Sequence, residues 1–160
     1  MLANNGKGNT PLRDVWQTPQ PLFNELNHQY KFGFDCCASE ENTKCRKFSS
    51  NFETETLPPI NPDLLENVCW MNPPFSIAYK LFELFVMNVY KGVAIYRCDN
   101  LETGIWQRVI LPNVDWVFIP NKRVSYDGLD GDKARFPSAL IGIGVEPPKN
   151  LKGIILTVIK

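Results

Sequence analysis

The residues of this chain best suited to chemistry are Asn72-Pro73-Pro74-Phe75, which follow the apolar run Val68-Cys69-Trp70-Met71. Proline cannot donate to a β-ladder, so Pro73-Pro74 ends a strand and opens a loop. In an open α/β sheet, ligands gather outside the carboxyl ends of strands, which is where such a turn lies. The Asn72 side-chain oxygen and the Pro73 backbone carbonyl are two acceptors, matched to the two hydrogens of a planar aryl amine. An amine held by both is drawn toward a pyramidal nitrogen, which frees a lone pair otherwise conjugated into the ring. Phe75 offers a flat apolar face on which an extracted base can stack. The same four residues also describe a plain strand-ending turn, with Asn72 capping a backbone group and Phe75 in the core. Taken alone, the motif leaves both readings open.

The elements that must carry these residues are legible in the pattern of the chain. A length of 160 residues is that of one domain around one core. Residues 1–14 lack apolar periodicity and are rich in Asn and Gly, which predicts a flexible arm ahead of a single domain over 15–160. Leu22, Phe23, Leu26 and Tyr30 recur at helical spacing, so a helix is expected over 19–30, with Thr18 as N-cap and Pro19 first in the helix. Residues 32–35 read as a short strand ending in an acid, and 39–67 as a polar, loop-rich stretch with a short strand near Phe48. After the strand at 68–71, a helix is expected from about Ser76 to Lys91. Ser76 would cap it, Ile77, Leu81, Leu84, Phe85 and Asn88 form its inner stripe, and Gly92 takes the C′ position. Strands at 93–96, 116–119, 139–145 and 154–159 and a short helix at 104–110 complete the reading. Helices alternate with strands early and strands follow one another late, which predicts an α/β fold on a mostly parallel sheet with an antiparallel edge.

Composition sets the bounds. No apolar run approaches the roughly 20 residues of a membrane span, and the polar start MLANNGKGNTPLRD is no secretory signal. A cytoplasmic protein with no membrane partner is therefore expected. Five cysteines, two of them adjacent at Cys36-Cys37, make a poor disulfide framework, so reduced thiols filling small gaps are expected. With one histidine, His28, and no CxxC pair, no metal is expected either. Zero net charge argues against a strongly basic nucleic-acid binder. The charge is uneven, however: residues 35–67 hold seven acids against three bases, and residues 68–160 eleven bases against eight acids. An anionic partner meets the second part more comfortably.

In sequence order, Trp16-Gln17-Thr18-Pro19, Phe34-Asp35-Cys36-Cys37-Ala38-Ser39, Trp70 to Phe75, Arg123 and Phe136-Pro137-Ser138-Ala139 resemble the small phage-type DNA N-6-adenine methyltransferases. The likeness runs from about residue 14 to 145. It implies a Rossmann-like methyltransferase fold, S-adenosyl-L-methionine as cofactor, and a flipped DNA adenine as substrate. It also implies Asn72, Pro73, Pro74 and Phe75 as the catalytic turn, and Trp16, Thr18, Pro19, Asp35, Ala38 and Ser39 around the cofactor. A carboxylate at Asp35 makes physical sense there, because it can pair with the cofactor's ammonium group. An aspartate at a strand end is also an ordinary turn residue. One departure is visible: methyltransferases of this fold generally carry a glycine-rich turn after the first strand, and Cys36-Cys37-Ala38 has no glycine. Glu53 and Glu55 are candidates by position for the acid that grips the ribose.

The DNA-facing surface is sought in residues 120–136, where Lys122, Arg123, Lys133 and Arg135 alternate with Tyr126 and Phe136. Asp127, Asp130 and Asp132 leave that loop nearly neutral, so DNA contact and an ordinary loop both fit it. No inserted recognition domain is apparent. A single copy is then expected to read a very short adenine context, or to borrow contacts from a second copy in a homodimer. Neighbouring activities share parts of the pattern. Protein-glutamine methyltransferases use NPPY-like turns, cytosine amino methyltransferases usually carry serine in place of Asn72, and an inactive nucleic-acid-binding module would keep the fold without the chemistry.

Overall fold

The computed structural model describes residues 14, 16–127 and 136–159. A seven-stranded sheet is covered on both faces. Its strands are β1 (Phe34–Asp35), β2 (Lys47–Phe48), β3 (Cys69–Met71), β4 (Gly92–Arg97), β5 (Trp116–Pro120), β6 (Ser138–Ile143) and β7 (Gly153–Thr157), in the order β2-β1-β3-β4-β6-β5-β7. The helices are α1 (Gln20–Tyr30), α2 (Phe52–Glu55), α3 (Pro62–Glu66) and α4 (Ala78–Asn88), joined by a 3₁₀ turn at Phe75–Ile77 and a π-helical segment at Ile105–Ile110.

The expected mixture of helix and strand is present, but the sheet is not mostly parallel. Parallel ladders of two, two and three residue pairs join β1 to β2, β1 to β3 and β3 to β4. Antiparallel ladders of six, three and five pairs join β4 to β6, β5 to β6 and β5 to β7. Alternation along the chain says nothing about adjacency. Here β6 slots between β4 and β5 and runs against both, so most of the residue pairing in the sheet is antiparallel rather than confined to an edge.

Side-chain alternation divides the core. Cys69, Met71, Ala94, Val117, Ala139 and Ile141 belong to one cluster with Phe82 and Phe85 of α4 and Trp106, Val109 and Ile110 of the π segment. Trp70, Val93, Ile95, Trp116, Phe118 and Leu140 belong to the other, with Phe23, Leu26 and Tyr30 of α1. This is the period-two pattern of strands covered on both faces. Small strand residues on the first face admit the bulky aromatics of α4 and the π segment.

Local details differ from expectation in instructive ways. Pro19, in extended conformation, takes the N-cap position of α1, no side chain caps the helix, and Lys31 closes it in the left-handed region at φ 55°. The inner stripe of α4 is Ala78, Leu81, Phe82 and Phe85, whereas Ile77 is exposed in the 3₁₀ turn. Gly92 is not a helix C′ residue but opens β4, where a Cβ would lie 2.8 Å from Val89 and 2.9 Å from Phe85. Among the described residues no helix is long and apolar enough to cross a membrane, no group of three metal-ligating side chains occurs, and all five cysteines are free thiols.

Gly142 shows how tightly the second face is packed. It pairs across the ladder with Trp116, whose indole covers it so closely that a Cβ would lie 2.0 Å from Cε2. The same indole donates from Nε1 to the Val145 carbonyl at 2.6 Å. Gly142→Ala must displace the ring and strain that bond, so stability should fall by about 1–3 kcal/mol, the usual cost of overpacking. The midpoint of urea unfolding measures it; an unchanged midpoint would show that the indole yields without cost.

Candidate active site

Because β1 to β4 all run in one direction, Asp35, which ends β1, and Ser49, Asn72 and Cys98, which follow β2, β3 and β4, lie on one rim of the sheet. The register Arg97↔Ser138 brings the start of β6 to the same rim. Across it lies a strap formed by Asp14 and residues 16–18. The Asp14 carboxylate accepts from the Ser76 backbone N–H (3.1 Å) and from the Ser76 hydroxyl. Gln17 exchanges backbone hydrogen bonds with Asp127, at 3.0 and 2.9 Å. The Trp16 ring stacks on Tyr126 and Phe136 and meets Phe75 edge-on.

Under the strap is a cavity of about 420 Å³, within the size range of small-molecule sites. Trp16, Thr18, Asp35, Ala38, Ser39 and Asn72 all contribute to its wall. Glu53 and Lys80 face each other across it, 3.9 Å apart at their charged ends. Two features of the lining ask for a ligand. The Thr18 hydroxyl is 1% exposed and has no hydrogen-bond partner among the described residues. Buried polar groups are normally paired, so such an orphan is costly. Asp35 is 3% exposed. Its burial pushes the carboxyl up to about 6, against the opposing pull of backbone N–H donors from Lys44 (3.0 Å) and Cys37 (3.3 Å).

Those two bonds also explain the missing glycines. One Asp35 oxygen holds the Cys37 amide and the other the Lys44 amide, while Ala38 N–H reaches the Ser49 carbonyl and Asn42 Oδ1 accepts from Ser39 N–H. Lys31 is the one non-glycine residue at positive φ among those described, so the 36–39 turn is built without a left-handed residue. A carboxylate and an asparagine shape this loop where glycine usually does.

In the Asn72 turn, the side-chain amide donates from Nδ2 to the Trp16 carbonyl at 3.2 Å. That bond turns Oδ1 away as the acceptor end, and among the described residues nothing donates to it. Pro73 is buried, Pro74 lines the cavity, and Phe75 is half-buried in an aromatic group, its ring centre 6.1 Å from Trp16, 5.9 Å from Tyr96 and 5.4 Å from Phe136. Beyond Phe136 stands Arg97, its guanidinium 4.6 Å above that ring and bound through two nitrogens to Asp99 at 2.7 and 2.5 Å. Arg97, and more weakly Arg123, hold the Asp99 carboxyl below its ordinary range.

The expected residues therefore converge in part. Trp16, Thr18, Asp35, Ala38, Ser39, Asn72 and Pro74 line one cavity; Pro19, Pro73 and Phe75 lie beside it, outside its wall. Of the two candidate acids, Glu53 lines the cavity, whereas Glu55 is engaged by Ser49 and Asn61. Lys122 and Arg123 are exposed on the loop that follows β5, and Lys133 and Arg135 lie outside the described residues. Sequence reasoning missed Asp14, placed in a flexible arm, and Lys80, Leu81 and Leu84, whose helix turns them to the cavity. The Asp14 signal was available: an acid two residues before Trp16 is an apt partner for a serine N–H.

Two curated proteins are similar to this chain. A DNA N-6-adenine-methyltransferase of Haemophilus phage HP1 (strain HP1c1) is 38% identical over 138 residues, covering 81% of this chain and 78% of that protein. A DNA N-6-adenine-methyltransferase of Escherichia phage T1 is 41% identical over 71 residues, 42% of this chain and 29% of that one. The family described as DNA N-6-adenine-methyltransferase (Dam) matches residues 5–137, a span that takes in the strap, the Asp35 loop and the Asn72 turn. With the matched span covering most of its length, the chain belongs to the DNA N-6-adenine-methyltransferase (Dam) family.

Proposed function

We propose that this chain methylates the N6 amino group of adenine in DNA, with S-adenosyl-L-methionine bound in the cavity under the strap. The observation that carries the reading is the Asn72 amide, fixed by the Trp16 carbonyl so that its oxygen is the free end, beside a cavity walled by a buried carboxylate. Family membership supports the reaction class and the substrate. The strand order, with its catalytic loops on one rim, is what a Rossmann-like methyltransferase sheet needs, and we read the fold so.

When bound, the cofactor supplies an activated sulfonium methyl. The chain's own residues bind, orient and exclude water. Asp35 is suited to the cofactor's ammonium group: its buried charge lacks a cation in direct contact and gains most from one. The same ligand would give the orphaned Thr18 hydroxyl a partner. Glu53 is the better placed acid for ribose hydroxyls, because Glu55 is spent on Ser49 and Asn61. Pro19, Ala38 and Ser39 shape the ends of this pocket rather than carrying charge.

For the substrate, Asn72 Oδ1 and the Pro73 carbonyl receive the two amine hydrogens of a flipped adenine, and Pro74 keeps that turn rigid. Phe75, braced by three aromatic neighbours, is the stacking face. Transfer would exchange the sulfonium's carbon–sulfur bond for a carbon–nitrogen bond, leaving a neutral thioether, and the nitrogen would release one of its two protons. Such catalysis is mainly positioning and preorganised acceptors. Lys122 and Arg123, with Lys133 and Arg135 further along the loop, would hold phosphates near the flipped base.

Asn72→Ala should lower turnover about 10²–10³-fold, as loss of one preorganised polar group does elsewhere, while cofactor affinity stays within about threefold. Single-turnover assays with labelled cofactor and unmethylated DNA measure the first, calorimetry the second. Label entering protein glutamine instead of DNA adenine would overturn the reading.

Asp35 makes a pH prediction. Its carboxyl titrates at about 6 in the fold and near 3.8 when unfolded. The unfolded chain therefore releases this proton first as pH rises. The folded state is favoured by this group below about 3.8, and that contribution is lost as pH climbs through about 6. Without ligand, the melting temperature of Asp35→Asn minus that of wild type should be more positive at pH 7.5 than at pH 4. Cofactor affinity should change the other way, rising through pH 6 as the carboxylate ionises, and Asp35→Asn should flatten that dependence. A wild-type affinity equal at pH 5 and 7.5 would exclude pairing of Asp35 with the ammonium group.

A further inference from the structure

The sheet ends differently on its two sides. At one end β2 is two residues long, and its Lys47 is paired with Asp63 at 2.7 Å. At the other, β7 is five residues long, every one exposed, and among the described residues it pairs with β5 alone. Ile154, Ile155, Leu156 and Ile159 are 64%, 48%, 46% and 95% exposed. Between Lys152 and Lys160 the chain has no charge and no proline. Edges are usually blunted by lysine, proline or a bulge against pairing with another strand; this one carries none of them.

The register shows what the edge offers. Ile154 and Leu156 sit opposite Ile119 and Val117, on the α4 side of the sheet, while Ile155 and Thr157 sit opposite Phe118 and Trp116, on the α1 side. Both faces of the edge are apolar. The Asn121 N–H donates to the Lys152 carbonyl at 2.9 Å, continuing the same register. In an antiparallel ladder the bonded pairs recur at every second residue. Ile154 and Leu156 therefore turn their backbone groups to β5, and Gly153, Ile155 and Thr157 turn theirs outward.

We propose that this edge is covered by a second copy of the chain, β7 against β7, antiparallel and centred on Ile155. In that register Ile155 meets its own counterpart, Ile154 meets Leu156, and Gly153 meets Thr157. The three outward residues of each strand oppose those of the other, so about six backbone hydrogen bonds close with no donor left over. The contact is self-complementary, as a two-fold dimer requires. No charge opposes like charge, and apolar side chains meet on both faces. Ile154, Ile155, Leu156 and Ile159 are the apolar surface that such a contact would cover. A standard interface takes roughly 800 Å² per partner, so the rims flanking β7 would have to contribute alongside the strands. The pairing is independent of the reaction, and sedimentation reads mass rather than turnover.

Sedimentation of the full chain from about 1 to 100 μM should show a species of twice the chain mass, and no larger one, because the pairing closes on itself. Ile155→Pro removes an outward N–H that the β5 ladder does not use, a substitution that edge strands tolerate. It should sediment as a monomer with its cooperative unfolding retained, whereas Ile154→Pro should lower the melting temperature by breaking the ladder to β5. If Ile155→Pro fails to fold, Ile155→Lys decides, and should also be monomeric. A wild-type chain that is monomeric throughout this range would overturn the proposal. So would assemblies that grow without limit, or a folded Ile155 variant that remains dimeric.

Discussion

The side-chain amide of Asn72 has two ends, and the proposed chemistry depends on which of them would face a substrate. A free amide in a turn presents donor and acceptor alike, and a donor turned toward an amine would repel its hydrogens. The Trp16 carbonyl settles the matter by taking the Nδ2 end. That carbonyl belongs to no regular element, so other contacts must hold it. Asp14 anchors one side to Ser76 in the very turn that Asn72 opens, Gln17 anchors the other to Asp127, and the Trp16 ring is stacked on Tyr126 and Phe136. The strap, the Asn72 turn and the loop after β5 are thus one hydrogen-bonded unit, and disturbing any of the three should be felt at Oδ1.

The same strap carries Thr18 into the cavity, which links the acceptor to the ligand pocket. Here the protein accepts unfavourable terms. Among the described residues, a hydroxyl is buried without a partner, and a carboxylate is buried with backbone donors but no cation in direct contact. Both terms are relieved by one ligand that carries a positive charge and hydrogen-bonding groups. Packing on the two faces of the sheet supplies the stability that tolerates them, with Trp70, Trp106, Phe82, Phe85 and Phe118 all buried nearly completely. The loop around Asp35 is shaped by its own backbone bonds to the carboxylate.

Much of this was legible in the residues and some was not, for definite reasons. The Asn72 turn announced itself because two prolines end an apolar strand, and that rule is local. Asp35, Thr18 and Trp16 were legible only as members of an ordered set of motifs, since an aspartate at a strand end is ordinarily a cap. The absence of glycine after β1 looked like a defect in the pattern. It disappears once the Asp35 carboxylate is seen to bind the Cys37 and Lys44 amides, a bond between residues nine apart that no spacing rule encodes. Sheet direction was misjudged because the position of β6 between β4 and β5 is a tertiary fact. Gly92 looked like a helix stop, yet what demands glycine there is the closeness of Phe85 and Val89. Asp14 was lost by treating everything before the first periodic residue as arm.

The position of β7 bears on how such a small enzyme can meet DNA. In the proposed dimer the two-fold runs perpendicular to the sheet, because that is the symmetry relating antiparallel neighbours in one ladder. It reverses strand direction, so the catalytic rim of one copy and that of the other open on opposite edges of a continuous sheet. Four strand steps separate β3 from β7 in each copy, and one more joins the copies; at about 4.8 Å per step the two Asn72 turns lie roughly 40 Å apart across the sheet. Two sites so arranged cannot engage neighbouring base pairs of one duplex together. The second copy would then cover an apolar edge without lending contacts to its partner's target. In that arrangement each proposed catalytic rim would read DNA with what it carries itself, the strap and the loop after β5, and a reader that small can distinguish few base pairs at about 1–3 kcal/mol for each good bidentate contact.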